Sequence, residues 1–213
     1  MNKFYKLIAL CAIILLCGNQ AAADARWGVI ASMNINDLRF NHKLQQGFEN
    51  KSVSGIGIGG SAGVIGELVF AGIGFGVDGA ILYSNYGSKC YLGQYPTWSE
   101  EGVPSEFVYR THNIEIPLNL LFKYRNLDGI EHYIAPLAFV GPSLTINVGD
   151  NQKELIAKGV EISLHVGVGC EILEKFQFRA MGYFGISDTC RTLRLDNFNA
   201  TKRGLAFSLI YFF

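Results

Sequence analysis

The last eleven residues, Arg203 to Phe213, read RGLAFSLIYFF. Successive side chains of an extended strand point to opposite faces, so Leu205, Phe207, Leu209, Tyr211 and Phe213 share one face. Ala206 and Ser208 take the other, which is smaller and more polar. Termini of soluble domains usually lie loose at the surface. A terminal strand this apolar must instead cover a dry core or face hydrocarbon.

The same two-residue period recurs along the chain, with turn signals between the repeats. Trp27 to Phe40 puts Trp27, Val29, Ala31, Met33 and Ile35 opposite Ser32, Asn34 and Asn36. After a polar loop, Asn41 to Ser54, the stretch Gly55 to Gly79 carries ten glycines and covers most of two further strands, with a turn near Val69 to Gly72. The third strand continues through Phe75, Val77, Ile81 and Tyr83, with Asp78 on the opposite face. The fourth, Tyr109 to Tyr124, sets Ile114, Ile116, Leu118, Leu120, Phe122 and Tyr124 against Asn113, Glu115, Asn119 and Lys123. His132 to Val148 is the fifth. The sixth, Gly159 to Leu173, opposes Val160, Ile162, Leu164, Val166, Val168 and Ile172 to Glu161, Ser163, His165 and Glu171. A tight turn at Glu174-Lys175 leads to Phe176 to Ser187, with Phe176, Phe178 and Phe184 against Gln177, Arg179 and Tyr183. Asp188 to Lys202 is a loop, and the terminal strand is the eighth.

The connections measure about 14, 4, 24, 6, 10, 2 and 15 residues, long and short by turns. A meander whose loops sort by parity has its tight turns at one end and its long loops at the other. Two prolines inside strands bear on register, because a missing N–H is tolerated mainly at edges and bulges. If the fourth hairpin turns at Asn126-Leu127, Pro117 and Pro136 face each other across it, both on the polar face.

Lys3 and Lys6 followed by the apolar run Leu7 to Cys17 and the small residues Ala21-Ala22-Ala23 form a secretory leader. Cleavage is expected after Ala23, with Ala25 the second choice, giving a leader over 1–23 and one domain over 24–213. Leu16 stands where a small residue would precede a lipidated cysteine, so Cys17 is a poor lipoprotein site. Without Lys3 and Lys6, the 18 basic and 18 acidic residues become 16 against 18. That is a net charge of about −2 with no basic stripe, which excludes nucleic acid as a partner. The exported part has no run of 18 or more apolar residues, hence no membrane helix. Cys90, Cys170 and Cys190 remain in an oxidising compartment. Cys170 sits in a strand pattern and behaves as a small hydrophobe. Cys90 and Cys190 fall in expected loops and are the pair a disulfide would join.

Alternation alone does not say which face is outside. A water-facing sheet would carry more Lys and Glu than the polar faces here. Their Asp78, Glu115, Lys123, Glu161, His165, Glu171 and Arg179, mixed with glycine and serine, suit a narrow lumen in which ions must pair. Aromatics near strand ends (Trp27, Tyr83, Tyr109, Tyr124, Tyr133, Tyr211) suit interfacial girdles, and aromatic residues make up 13% of the chain. The expected fold is all-β: an eight-stranded antiparallel up-and-down transmembrane β-barrel with lipid outside.

Several strands resemble a known family. Ile114-Glu115-Ile116-Pro117-Leu118, running on to Lys123-Tyr124, is similar to the IEIPLLLKY strand of PorT-like outer-membrane β-barrel proteins. Ile81-Leu82-Tyr83-Ser84, Gly141-Pro142-Ser143 and Tyr183-Phe184-Gly185-Ile186-Ser187 resemble neighbouring strands of that family. The glycine-rich second hairpin and the cysteine-bearing segments depart from it. The resemblance implies a Gram-negative outer-membrane barrel, some of whose relatives are linked to protein secretion. It also implies that Phe213 belongs to the signal read by the barrel-assembly machinery.

Glu161, Ser163 and His165 share one face, as a hydrolase of outer-membrane lipid would need. Neighbours two apart on a strand are ~6–7 Å from each other, too far for a nucleophile–base hydrogen bond without a bend. Glu115, Lys123, Glu161, His165, Glu171 and Arg179 are expected instead to form a lumen network, since eight strands leave an interior that side chains just fill. His42, His112, His132 and His165 show no metal-ligand spacing, and no cofactor motif is present. The stretch Asn85 to Val108, with Tyr91, Tyr95 and Trp98, offers rigid aromatics for contact with a protein or glycan. The expected role is that of a monomeric, non-enzymatic platform in lipid. The alternatives are a lipid-modifying enzyme and a soluble lipid-binding barrel.

Overall fold

The computed structural model describes residues 23–40, 54–70, 74–91, 106–124, 133–151, 155–192 and 199–213. Eight long strands form the wall: β1 (Ala23–Phe40), β3 (Gly57–Phe70), β4 (Phe75–Tyr91), β5 (Glu106–Lys123), β6 (Ile134–Asp150), β8 (Val160–Ile172), β9 (Phe176–Gly185) and β11 (Asn199–Phe212). Each pairs antiparallel with the next, and β1 pairs with β11 through Gly28↔Phe212 to Phe40↔Ala200, which closes the sheet into a barrel. Short strands β2 (Ser54–Gly55), β7 (Leu155–Ala157) and β10 (Cys190–Thr192) are added at one end. There, β10 pairs with both β11 and β7.

The apolar face is outside. Phe178, Leu164 and Leu209 are 50%, 37% and 45% exposed, whereas Glu161 and Arg179 are 4% and 5% exposed. Leaving a belt of such side chains in water would forgo about 1.5–3 kcal/mol for each one. Every strand of the wall is long enough to cross a bilayer at barrel tilt. Among the described residues no helix is long and apolar enough to cross. Trp27, Tyr83, Tyr124 and Tyr133 lie on the outer face as expected of girdles, but Tyr109 points inward and is buried.

The β8–β9 turn is tight, with Lys175 N–H donating to Ile172 O at 3.3 Å. Leu173 and Glu174 both have positive φ, 53° and 59°, so the turn centres one residue earlier than expected. That twist suits a hairpin, but it is normally the preserve of Asn and Gly. Arg26 Nη1 donates to Glu174 O at 2.6 Å and pins the turn to β1.

The expected opposition of Pro117 and Pro136 is wrong. Pro117 pairs with Ser143, and Tyr124 N–H reaches Pro136 O. Facing residues therefore have numbers that sum to 260 rather than the expected 253. The offset is an odd number of residues, so Pro117 faces the lumen and Pro136 faces outward. The ladder is nonetheless interrupted beside Pro117. The β4–β5 pairing lapses between Gly79↔Leu118 and Leu82↔Glu115, and the β5–β6 pairing lapses between Pro117↔Ser143 and Leu120↔Val140.

Strands also run further than the pattern suggested. Asn85 to Tyr91 and Glu106 to Val108 are strand rather than loop, as are Cys190 to Thr192 and Asn199 to Lys202. Cys90 and Cys190 thus lie on strands. Tyr91 ends β4, Tyr95 and Trp98 lie outside the described residues, and so do residues 1–22 of the leader expected over 1–23.

Candidate functional site

The lumen holds two ionic groups stacked along the barrel axis. At the end carrying Ala23 and Phe213, Arg26 of β1, Glu67 of β3, Lys123 of β5, Glu171 of β8 and Gln177 of β9 converge. Lys123 Nζ donates to Glu67 Oε1 at 2.6 Å and to Glu171 Oε2 at 2.7 Å. Gln177 Nε2 donates to the same two carboxylates at 2.8 and 2.7 Å. Arg26 donates to Glu67 Oε1 through Nε at 3.0 Å and Nη2 at 2.6 Å, and also reaches Glu171. Its guanidinium lies 4.1 Å over the Phe212 ring. One layer further in, Arg179 Nη1 meets Asp78 Oδ2 at 2.8 Å, and Asn119 Nδ2 donates to Asp78 Oδ1 at 2.7 Å. Three cations face three carboxylates, all buried but the partly exposed Arg26.

The second group surrounds Glu115. Its carboxylate accepts from Ser84 Oγ at 2.9 Å, Ser143 Oγ at 3.2 Å and the Tyr86 hydroxyl, with His165 Nε2 at 3.3 Å. Lys202 Nζ stands 3.3 Å from Glu161 Oε1 and 3.8 Å from the centroid of Tyr86. The Tyr183 hydroxyl donates to Asn36 Oδ1, and its ring lies where Gly204 has no side chain. A β-carbon on Gly204 would strike that ring and Ile35 O.

Ser163 Oγ and His165 Nε2 are 3.3 Å apart, so the expected separation was too large: both side chains lean together inside the barrel. Glu115 approaches the same ring nitrogen that Ser163 contacts. A hydrolytic relay needs the acid on the other nitrogen. All three residues are buried. Two interior cavities of about 20 and 10 Å³ are lined in part by His165, Arg179 and Asp78, and by Tyr86, Tyr109 and Lys202, respectively. Each is about the size of one water.

Above this group, Cys90, Cys190, Leu38, Tyr109, Leu155 and Ala200 form one buried cluster across the mouth. Cys90 lies fifteen residues beyond Phe75, about 38 Å along the axis at ~3.3 Å per residue and ~40° tilt, past the ~25 Å apolar band. Burial, and after it the charge of Asp37, pushes the Cys90 thiol up to about 12. Burial, then the neighbouring Cys90 sulfur, raises Cys190 as well. Cys170 is on the outer wall, half-buried. Phe213 is exposed at the opposite rim, its N–H donating to Trp27 O at 3.0 Å and its ring edge-on to Tyr211. His112 faces outward, its Nδ1 2.6 Å from the Tyr83 hydroxyl, and among the described residues no cluster could hold a metal.

A family model described as an outer membrane protein β-barrel domain matches residues 19–191. The chain belongs to that family. It is a protein of the outer membrane, and the inward charges and outward apolar belt are those of this family's environment. No curated protein matches it. Among solved structures it is similar to Neisserial surface protein A, at 14% identity over 89% of this chain and 99% of that one, TM-score 0.48. It is also similar to OprG of Pseudomonas aeruginosa (10%, 90% and 95%, 0.44) and to Ail, the attachment invasion locus protein of Yersinia pestis (12%, 88% and 99%, 0.39). The last was crystallised with the heparin analogue sucrose octasulfate.

The six lumen residues expected from the sequence of this barrel all point inward, but they divide between the two groups. Lys123, Glu171 and Arg179 join the first, and Glu115, Glu161 and His165 the second. Sequence reasoning missed Arg26, Glu67 and Lys202. Glu67 has the right parity, two residues after inward Ile65, but glycines on both faces of β3 hide the alternation. Lys202 shares parity with Ala206 and Ser208 and was masked by assigning its segment to a loop.

Proposed function

We propose that the protein is a membrane-anchored platform whose outward loops meet a protein or a glycan. The observation that carries this reading is the filled interior among the described residues: paired charges at one end, an apolar plug at the other, and cavities of about one water between them. A barrel packed in this way offers a solute no path, so its work falls to surfaces beyond the lipid. Among partners, the resemblance of its strands to PorT-like proteins favours a component of protein secretion. The chain acts as a monomer, exported by the leader over 1–23 and inserted by the barrel-assembly machinery through the strand ending at Phe213.

The test is photo-cross-linking from the 92–105 connection in intact envelopes. A discrete adduct, lost when that connection is replaced by a short Gly-Ser turn, is the expected result. Stepwise conductance of the purified barrel in planar bilayers would overturn the reading. A second reading, an enzyme acting on lipid, is favoured by one observation, the 3.3 Å approach of Ser163 to His165 beside Glu115. Fatty acid released from lipid A by the wild type and not by Ser163→Ala would establish it. The shared ring nitrogen and complete burial weigh against that outcome.

A further inference from the structure

The two cysteines at the mouth come from segments with no direct pairing. Cys90 is the penultimate residue of β4, opposite Phe107 of β5 and Ser54 of β2. Cys190 opens β10, between Ala200 of β11 and Ala157 of β7. The short strands β7 and β10 thus make a flap beside the end of β11, and both cysteine side chains are 0% exposed in the same apolar cluster. Two thiols from strands on different parts of the wall meet under one lid, in a protein whose outward end lies outside the cell. We propose that Cys90 and Cys190 form a disulfide in the exported protein, tying the end of β4 to the β7–β10 flap and fixing the outer mouth shut.

The structure holds the two as thiols, the reduced state. Oxidation proceeds by exchange with the disulfide of a periplasmic dithiol oxidase. One cysteine thiolate attacks that disulfide, whose S–S bond breaks as a mixed disulfide forms. The second cysteine then displaces the oxidase, which leaves as its dithiol with the two electrons and, by way of solvent, the two thiol protons. Exchange needs an accessible thiolate, and burial removes both access and ionisation once the barrel is closed. The bond therefore forms before insertion, while the flap and the end of β4 are still open to the oxidase. Cys170, on the lipid-facing wall, stays unpaired. The tie joins residues about a hundred apart, so it removes a large loop from the unfolded ensemble. It also gives the 92–105 and 193–198 connections a common base, whether or not they carry a partner.

The experiment is acid-quenched alkylation of envelopes, followed by non-reducing digestion and mass mapping of the full-length protein. A Cys90–Cys190 linked peptide, with Cys170 alkylated, is the expected result. The linked peptide should vanish when the sample is reduced before alkylation. In a host lacking the periplasmic oxidase the linked fraction should fall at least tenfold. Alkylation of both Cys90 and Cys190 in the quenched wild-type sample, or a link through Cys170, overturns the proposal. Cys90→Ser/Cys190→Ser should still give heat-modifiable mobility, with a urea midpoint lower than that of Cys170→Ser. An unchanged midpoint in reduced and oxidised wild type would remove the mechanical role.

Discussion

Lys123→Met tests whether the lumen is held by its ions. The ammonium is fully buried and donates to two carboxylates at 2.6 and 2.7 Å. Removing it leaves Glu67, Glu171 and Asp78 against Arg26 and Arg179, one carboxylate in excess and out of water. Deleting one partner of a buried pair costs about 3–5 kcal/mol, because the remaining charge keeps its desolvation penalty. Arg26 and Gln177 still reach both carboxylates, so the low end applies, about 3 kcal/mol or roughly a hundredfold in the folding equilibrium. Lys123→Met/Glu171→Gln restores neutrality, two cations against two carboxylates, and should recover about 1–2 kcal/mol of that loss. The assay is reversible urea unfolding in lipid vesicles, followed by tryptophan fluorescence and by heat-modifiable gel mobility. A Lys123→Met barrel within ~0.5 kcal/mol of wild type, or a double variant as unstable as the sum of the singles, would refute the network as a source of stability.

Three further substitutions probe other parts of the wall. Gly204→Ala places a methyl against Ile35 O and the Tyr183 ring; overpacking of this kind costs about 1–3 kcal/mol, read as a lowered urea midpoint. Leu173→Asn/Glu174→Gly relieves two left-handed residues at the tight β8–β9 turn and should stabilise by about 1 kcal/mol, provided the Arg26 contact to the turn carbonyl persists; a lower midpoint would contradict it. Deletion of Phe213 removes the N–H to Trp27 O and the ring on Tyr211. It should leave refolding in vesicles nearly intact while lowering the amount assembled in cells several-fold, measured by fractionation of envelopes.

What could be read from the sequence was whatever a two-residue period carries. Phe178 and Arg179, or Leu164 and His165, are assigned to opposite faces by position alone, and their faces are as expected. Register is different, because it depends on the turn. Pro136 changes face when the partner of Pro117 shifts by an odd number of residues, here from 136 to 143, and nothing in the sequence from Arg125 to Ile130 fixes that register. Ser163 and His165 illustrate a second limit. Backbone spacing sets where two β-carbons lie, but the side chains then choose rotamers together, and two on one face can close several ångströms. Tyr109 illustrates a third: an aromatic near a strand end reads as a girdle residue, yet its parity with Asn113 and Glu115 sends it into the mouth. Arg26 and Glu67 were hidden because each lies near a segment end or among glycines, where alternation is weakest.

The size of the barrel decides where its function can reside. Eight strands enclose a space that side chains just fill, and here it is occupied by Tyr86, Tyr183, Phe139, Arg179 and the two ionic groups. Charges in such a space are tolerated only in compensated sets, so each carboxylate recruits a cation from another strand: Glu67 from β1 and β5, Asp78 from β9, Glu161 from β11. Except for Arg26–Glu67, which are opposed on neighbouring strands, these cross-links tie strands that the hydrogen-bond ladder does not join, and they do so at both depths of the lumen. A wall braced from inside in this way cannot also be a conduit, because widening it would strip partners from ions that have no water to replace them. That bracing is what the proposed role as a platform rests on, and a stepwise conductance would contradict both together.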